Sequence, residues 1–173
     1  MFLRRLGITS AIFLGIFILQ EAIVNQLRLP AGGFSLFLIV TLIWAALSTP
    51  EVAAAVGFGA GLLLDLSPST NGPIGHWTLI LVLLGYAISF FSYGDENMRG
   101  NPLSLIFMVT IAQGIALIAY IFSGFLLGVS ATSFSQTLTT LIGSAIWTVV
   151  IAPLLLPAVS WLHNLVFDSR MHI

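Results

Sequence analysis

Long apolar segments dominate this sequence and constrain its fold more than any other feature. A helix needs about 20 largely apolar residues to cross the hydrocarbon core of a bilayer. Six stretches approach that length: 6–27, 33–48, 50–66, 75–93, 102–129 and 136–163. Only 6% of the 173 residues are charged, whereas a soluble domain carries about 25%. The sequence therefore predicts an all-α integral membrane protein, one polytopic domain over residues 1–173, with about six transmembrane helices solvated by membrane lipid.

The second and third segments are short, and Ser48-Thr49-Pro50-Glu51 separates them. This tetrapeptide has the pattern of a helix start, with Thr49 as the N-cap, Pro50 at the first helical position and Glu51 in the first turn. The two segments are either two spans, one long bent helix, or a hairpin that does not fully cross the membrane. Five spans is therefore the alternative to six.

The arginines predict the orientation of the chain. The N-terminus has arginines before an apolar run, as a signal peptide does, but no small-residue cleavage site follows, so we interpret 6–27 as a retained first span. With six spans, one side of the membrane collects four arginines: Arg4, Arg5, Arg99 and Arg170. Arg28 lies on the other side. The positive-inside rule then places both termini in the cytoplasm and the 67–75 loop outside.

A stripe of small residues leads to an isolated carboxylate in the third segment. Ala53, Gly57, Gly61 and Asp65 are spaced by four, so they share one face of a helix. Small residues on one face allow a second helix to approach closely, so we expect Asp65 to face protein. Its carboxylate should lie near the outer interface, be protonated, or be hydrogen-bonded by the following loop. The nearby side-chain donors are Ser67, Ser69, Thr70 and Asn71.

A second polar group lies at the end of the first segment. Glu21, Asn25 and Arg28 fall close to one helix face, next to Gln20. Ionisable groups inside a membrane mark substrate paths by default. An ion pair between Glu21 and Arg28 that fixes the depth of the helix is the alternative to a ligand site.

The usual catalytic patterns are not found in this sequence. There is no Cys and no GxSxG, and His, Asp and Glu do not cluster at metal-ligand spacing. Asp65 and Asp95 would lie at opposite membrane faces, too far apart to share a proton as an aspartyl dyad does. We therefore expect no enzymatic activity and no cofactor, and the net charge of −1 gives no sign of a nucleic-acid partner.

Residues 57–75, GFGAGLLLDLSPSTNGPIG, and the following helix ending LGYAISFF resemble the MreD family of rod shape-determining proteins. The matching positions are Gly57, Gly61, Leu62, Asp65, Pro68 and Gly75. His76, directly after the loop, has no counterpart in the family pattern. The resemblance implies a fold similar to the substrate-binding subunits of energy-coupling-factor transporters, which favours six helices.

The resemblance also implies a function. It indicates a non-enzymatic scaffold of the bacterial cell-elongation machinery in the cytoplasmic membrane. Such a protein would bind MreC and work with MreB filaments and the peptidoglycan synthase pair. The alternative is a small-solute-binding subunit of a membrane transporter. A polar-lined cavity that opens outward would favour a solute site, whereas a packed centre with an apolar groove facing lipid would favour a helix partner.

Overall fold

A computed structural model of the protein describes residues 2–27, 29, 32–68, 73–93, 100–126 and 134–167. The α-helices in these residues are α1 (Phe2–Ala22), α2 (Leu36–Leu47), α3 (Pro50–Asp65), α4 (His76–Tyr93), α5 (Pro102–Leu126) and α6 (Phe134–Phe167). A short 3-10 helix, Val24–Gln26, follows α1. The described part of the chain contains no strand, and each of the six apolar segments contains one helix. The prediction of an all-α protein is confirmed.

Four of the described helices are long and apolar enough to cross a membrane: Gly7–Gln26, His76–Tyr93, Pro102–Leu126 and Ser135–Phe167. The other two are shorter, since α2 has 12 residues and α3 has 16. At a rise of 1.5 Å per residue they are about 18 and 24 Å long, less than the roughly 30 Å of a hydrocarbon core. The length and composition of these four helices are consistent with a helical membrane protein.

The short helix α2 forms the centre of the bundle. Ten of its residues, from Phe37 to Ala46, are buried. The ring of Phe13 in α1 packs edge-to-face against Phe37 and Trp44, with centroid distances of 5.8 and 5.5 Å. A helix that is apolar on every side is buried either in a protein core or in lipid, and here other helices of the chain surround it. The core therefore lies around α2, with α1 and the longer helices packed outside it.

The chain reverses direction between α2 and α3. Ser48 and Thr49 both have extended backbone, and α3 begins at Pro50 as predicted. The two segments are therefore separate helices, and the alternative of one long bent helix is wrong. The predicted N-cap is correct in position, but the Thr49 side chain makes no capping hydrogen bond. The Thr49 carbonyl accepts the first bond of the helix, from the Ala53 N–H at 2.8 Å.

The helix ends gather at two opposite ends of the bundle. The Ser89 hydroxyl of α4 donates to the Ser48 carbonyl at 2.6 Å, and the Ser48 hydroxyl lies 3.1 Å from Nε2 of His163 in α6. The guanidinium carbon of Arg5 lies 5.9 Å from the Phe167 ring centroid. The first turn of α1 and the last turn of α6 therefore lie together, at what we call the Ser48 end. The opposite end, where α3 ends and α4 begins, is the Asp65 end.

Candidate functional site

The helices α3 and α4 cross very closely, and the small-residue stripe makes this possible. A Cβ atom added at Gly57 would collide with the carbonyl oxygen of Leu81, and one added at Gly61 would collide with the backbone of Thr78. Because these obstacles are backbone atoms, neither can move aside without separating the helices. The predicted close crossing is therefore confirmed, and its partner is α4.

Asp65, only 8% exposed, caps the start of α4. Its Oδ1 accepts the Trp77 N–H at 2.8 Å. Its Oδ2 accepts the N–H groups of Gly75 and Thr78 at 2.9 and 3.0 Å, and the Thr78 hydroxyl at 2.6 Å. The first N–H groups of a helix have no partner within it, and the helix dipole is positive there. Asp65 is the last residue of α3, where the helix dipole disfavours an anion. The N–H groups at the start of α4 stabilise its carboxylate.

The donors to Asp65 among the described residues are Gly75, Trp77 and Thr78, which the sequence prediction did not name. The hydroxyl of Ser67, the first expected donor, donates a hydrogen bond to Oε1 of Glu21 at 2.5 Å. The other three, Ser69, Thr70 and Asn71, lie outside the described residues. The carboxylate is bound by the far end of its loop because the unpaired N–H groups of α4 lie there, in fixed positions. The expectation of a bond from Ser67 is therefore wrong, and the expectation of a bond from the 67–75 loop is met by Gly75.

The remaining motif residues have separate roles. Gly75 has φ +96°, a conformation that favours glycine, and this conformation accompanies the bond from its N–H to Asp65. Leu62 is half-buried on α3, and Pro68 is exposed just after the helix. These two residues do not contribute to the hydrogen bonds around Asp65.

His76 joins α4 to α5. Its ring stacks on Tyr120 with centroids 4.4 Å apart, and Trp77 stacks on the same tyrosine at 4.5 Å. A ring nitrogen of His76 is hydrogen-bonded to the Ser123 hydroxyl. His76, which the family pattern does not explain, is therefore part of a helix interface at the Asp65 end.

The polar cluster of α1 connects directly to the Asp65 motif. Oε2 of Glu21 accepts from Nδ2 of Asn25 at 3.0 Å, and Oδ1 of Asn25 accepts from Nε2 of Gln20 at 2.6 Å. Through Ser67, Glu21 ties α1 to the residues just after α3. The predicted partner Arg28 lies outside the described residues. The two polar groups that the sequence treats separately form one network.

A cavity of about 220 Å³ lies beside this network. Polar and aromatic side chains on its wall include Gln20, Glu21, Asn25, Trp77, Gln113 and Ser144. Gln113 is 2% exposed, and its Oε1 is buried without a hydrogen-bond partner in the described part of the chain. Sequence reasoning missed Gln113, although a lone amide inside the apolar segment 102–129 was a signal for it. The bundle thus combines a centre packed around α2 with a polar-lined cavity towards the Asp65 end.

The described residues contain no group of three His, Asp or Glu side chains placed to hold a metal ion. His76 lies at the Asp65 end and His163 at the Ser48 end, so the two imidazoles do not meet. The chemistry available at the Asp65 end is hydrogen bonding, aromatic stacking and the charge of the carboxylates.

Comparison with protein families, curated proteins and solved structures found no match for this chain.

Proposed function

We propose that this protein is a non-enzymatic membrane scaffold of the bacterial cell-elongation machinery, of the MreD type. In this proposal it binds the single-span protein MreC through its membrane helices and outward loops, and acts with MreB filaments and the peptidoglycan synthase pair. The observation that carries the proposal is the α3–α4 hairpin closed by Asp65. Its glycines and its carboxylate are the same positions that resemble the MreD pattern.

A scaffold of this kind needs a rigid surface at its outer face. Asp65 joins the end of α3 to the start of α4, and Ser67 joins the same region to Glu21 of α1. Three helices are thereby held in register next to the 67–75 loop. Apolar side chains such as Phe122 and Phe125 on α5 are exposed, and they suit contact with lipid or with a partner helix.

The proposal includes six membrane crossings in the bacterial cytoplasmic membrane, with both termini in the cytoplasm. The arrangement of the helix ends supports an even number, since α1 begins where α6 ends. The short helices α2 and α3 would cross as a hairpin inside the bundle, with protein around α2 in place of lipid. The Asp65 end would then face outward, as the arginines indicate.

Capture of MreC by Asp65 variants tests the proposal. Asp65→Asn keeps an acceptor for most of the four donors, whereas Asp65→Ala removes all acceptors. We expect co-purification of MreC to be nearly normal with Asn and clearly reduced with Ala, at matched membrane levels. Glu51→Ala, an exposed acid on the same helix, is the control. Full capture by the Ala variant would refute a role of the hairpin, and complete loss with both variants would indicate a proton-relay role instead.

The second candidate function is a small-solute-binding subunit of a transporter. The polar-lined cavity is the observation that favours it. The same purification separates the two functions, because a transporter subunit would retain an energising ATPase complex, whereas a scaffold would retain MreC.

A further inference from the structure

We infer that one exposed face of α6 is the docking surface for a partner's transmembrane helix that carries hydroxyl or amide side chains at mid-membrane. Four exposed residues at a spacing of four form this face, which we call the proline face: Val149, Pro153, Pro157 and Trp161. The inference deepens the proposed function and rests on it, since it takes MreC as the partner. Two backbone carbonyls that the prolines leave without their helix bonds carry the inference.

The two prolines open two acceptors on the proline face. Both prolines lie inside the continuous helix α6. A helix carbonyl normally accepts from the N–H four residues ahead, but proline has no N–H and its ring crowds that carbonyl. The carbonyls of Val149 and Pro153 therefore lack this bond. A side-chain donor three or four residues ahead could replace it, but the residues at those places have none: Ala152, Pro153, Leu156 and Pro157.

The open carbonyls lie deep in the membrane if α6 crosses it as proposed. Ser144 lines the cavity at the Asp65 end, and His163 lies at the opposite end of the bundle. The helix rises by about 28 Å between these two residues, close to the roughly 30 Å of a hydrocarbon core. Val149 and Pro153 lie about 8 and 14 Å beyond Ser144. Water and lipid headgroups do not reach this depth, and acyl chains have no donors.

The chemistry of the proline face indicates its occupant. A transmembrane helix satisfies its own backbone and can bring a Ser, Thr, Asn or Gln donor to mid-membrane. A second copy of this chain is less suitable, because a symmetric pair places the same face against itself. Acceptor would then face acceptor, since the side chains of Val149, Pro153 and Pro157 have no donor, and Trp161 lies about 12 Å of helix rise beyond Pro153. The single-span helix of MreC is the occupant in the proposed function.

Restoring the missing N–H groups tests the docking surface. Pro153→Ala and Pro157→Ala each return a donor to α6, which then bonds the open carbonyl within the helix. We expect the ratio of bound to unbound MreC to fall about threefold with each variant and about tenfold with both, the effect of interhelical hydrogen bonds of average strength. Pro102→Ala is the matched control. Pro102 is the first residue of α5, where proline opens no helix carbonyl, so this variant should capture MreC as the wild type does.

A measurement on the unaltered chain keeps the test decisive if a proline variant changes the bend of α6 or misfolds. Val149 and Val150 form the single Val-Val pair of the sequence. Valine labelled with ¹³C at the carbonyl and with ¹⁵N therefore singles out the Val149 carbonyl in solid-state NMR. Its carbon signal should move downfield when MreC is present, as it does on hydrogen bonding. Pro153→Ala should move the same signal downfield without MreC.

A photoreactive amino acid identifies what lies on the proline face. Placed at Leu154, which is exposed beside Pro153, it should cross-link to MreC. Ile118, exposed on α5, is the control position and should give no cross-link to MreC. A cross-link from Leu154 to a second copy of the chain would identify a different occupant.

The outcomes separate the docking surface from the proposed function. Reduced capture by the folded proline variants, the Val149 shift and the cross-link at Leu154 support the surface. An unchanged Val149 signal in the MreC complex, full capture by the double variant, or a cross-link to MreC from Ile118 alone would overturn the surface. The proposed function would stand in each of these cases, because MreC is still captured. Absence of MreC capture by the wild type would overturn both.

Discussion

Asp65 shows how one carboxylate can organise the meeting of two helices. It accepts three backbone N–H groups and one hydroxyl, all from Gly75, Trp77 and Thr78. A charged group is expensive in a membrane because it loses its hydration. Here the start of α4 replaces that hydration, so the acid can stay buried and still stabilise the fold.

We predict that Asp65→Ala lowers the free energy of unfolding by about 1–3 kcal/mol, because the N–H groups of α4 lose their acceptor. Asp65→Asn should cost less, since its carbonyl can take the place of Oδ2 and keep three of the four bonds. Heat-induced unfolding of the purified variants in mild detergent measures the difference. Asn as harmful as Ala would show that the negative charge, more than the hydrogen bonds, stabilises the hairpin.

The sequence predicted the direction in which Asp65 faces but not the groups that bind it. The spacing of four with Gly57 and Gly61 depends on helix geometry alone, so the order of the residues is enough to indicate a shared face. The identity of the capped helix depends on how α3 and α4 pack, and no local pattern contains that information. Gln113 was missed although a lone amide in an apolar segment was a signal for it; its burial beside the cavity could be seen only in the structure.

The α3–α4 hairpin is the most closely packed pair of helices in the described chain. Its glycines are not equivalent, since Gly57 and Gly61 meet the backbone of α4, whereas nothing lies within 4 Å of a Cβ built at Gly59. All three lie in one helix within five residues. They therefore form a matched set. The three positions share one helix, and they differ in whether the backbone of α4 lies against them.

We predict that Gly61→Ala and Gly57→Ala each destabilise the protein by about 1–3 kcal/mol, because the new methyl group overpacks a backbone contact. Gly59→Ala should be neutral or stabilise by up to about 1 kcal/mol through helix propensity. Unfolding temperatures of the three variants in the same detergent test this. Equal effects at Gly59 and Gly61 would mean that the close crossing does not contribute to stability.

The positions of all six helices followed from hydropathy, but the role of α2 did not. An apolar run has the same composition whether lipid or protein surrounds it, so segment 33–48 has the pattern of a short span. The structure places it in the middle, with Phe37 and Trp44 fully buried. Its length of 12 residues is the sequence feature that separates it from the four long apolar helices.

The bundle as a whole has one tightly packed region and one polar region. The core around α2 fills its centre, while the hydrogen-bonded network and the cavity lie together towards the Asp65 end. Pairs of helix ends alternate between the two ends along the chain, which is the arrangement expected of six crossings. This geometry makes the proposed topology open to a direct experiment.

We predict that single cysteines at Ser69 and Asn97, both outside the described residues, react with an impermeant thiol reagent from opposite sides of the membrane. The natural chain has no Cys, so the unmodified protein gives the background. Labelling in intact and in opened cells separates the two sides. Reaction of both positions from the same side would disprove six crossings.

The burial of α2 also has a biosynthetic consequence. An insertion channel tests each segment as it leaves the ribosome, before the neighbours that will surround it exist. A helix of 12 residues is too short to span the bilayer by itself. We therefore expect α2 to enter the membrane only together with α3, as one unit. A single cysteine placed in α2 should then react with a water-soluble thiol reagent in released chains ending near residue 48, and it should be protected in chains ending beyond residue 66. Assembly of this protein would thus proceed by pairs of helices.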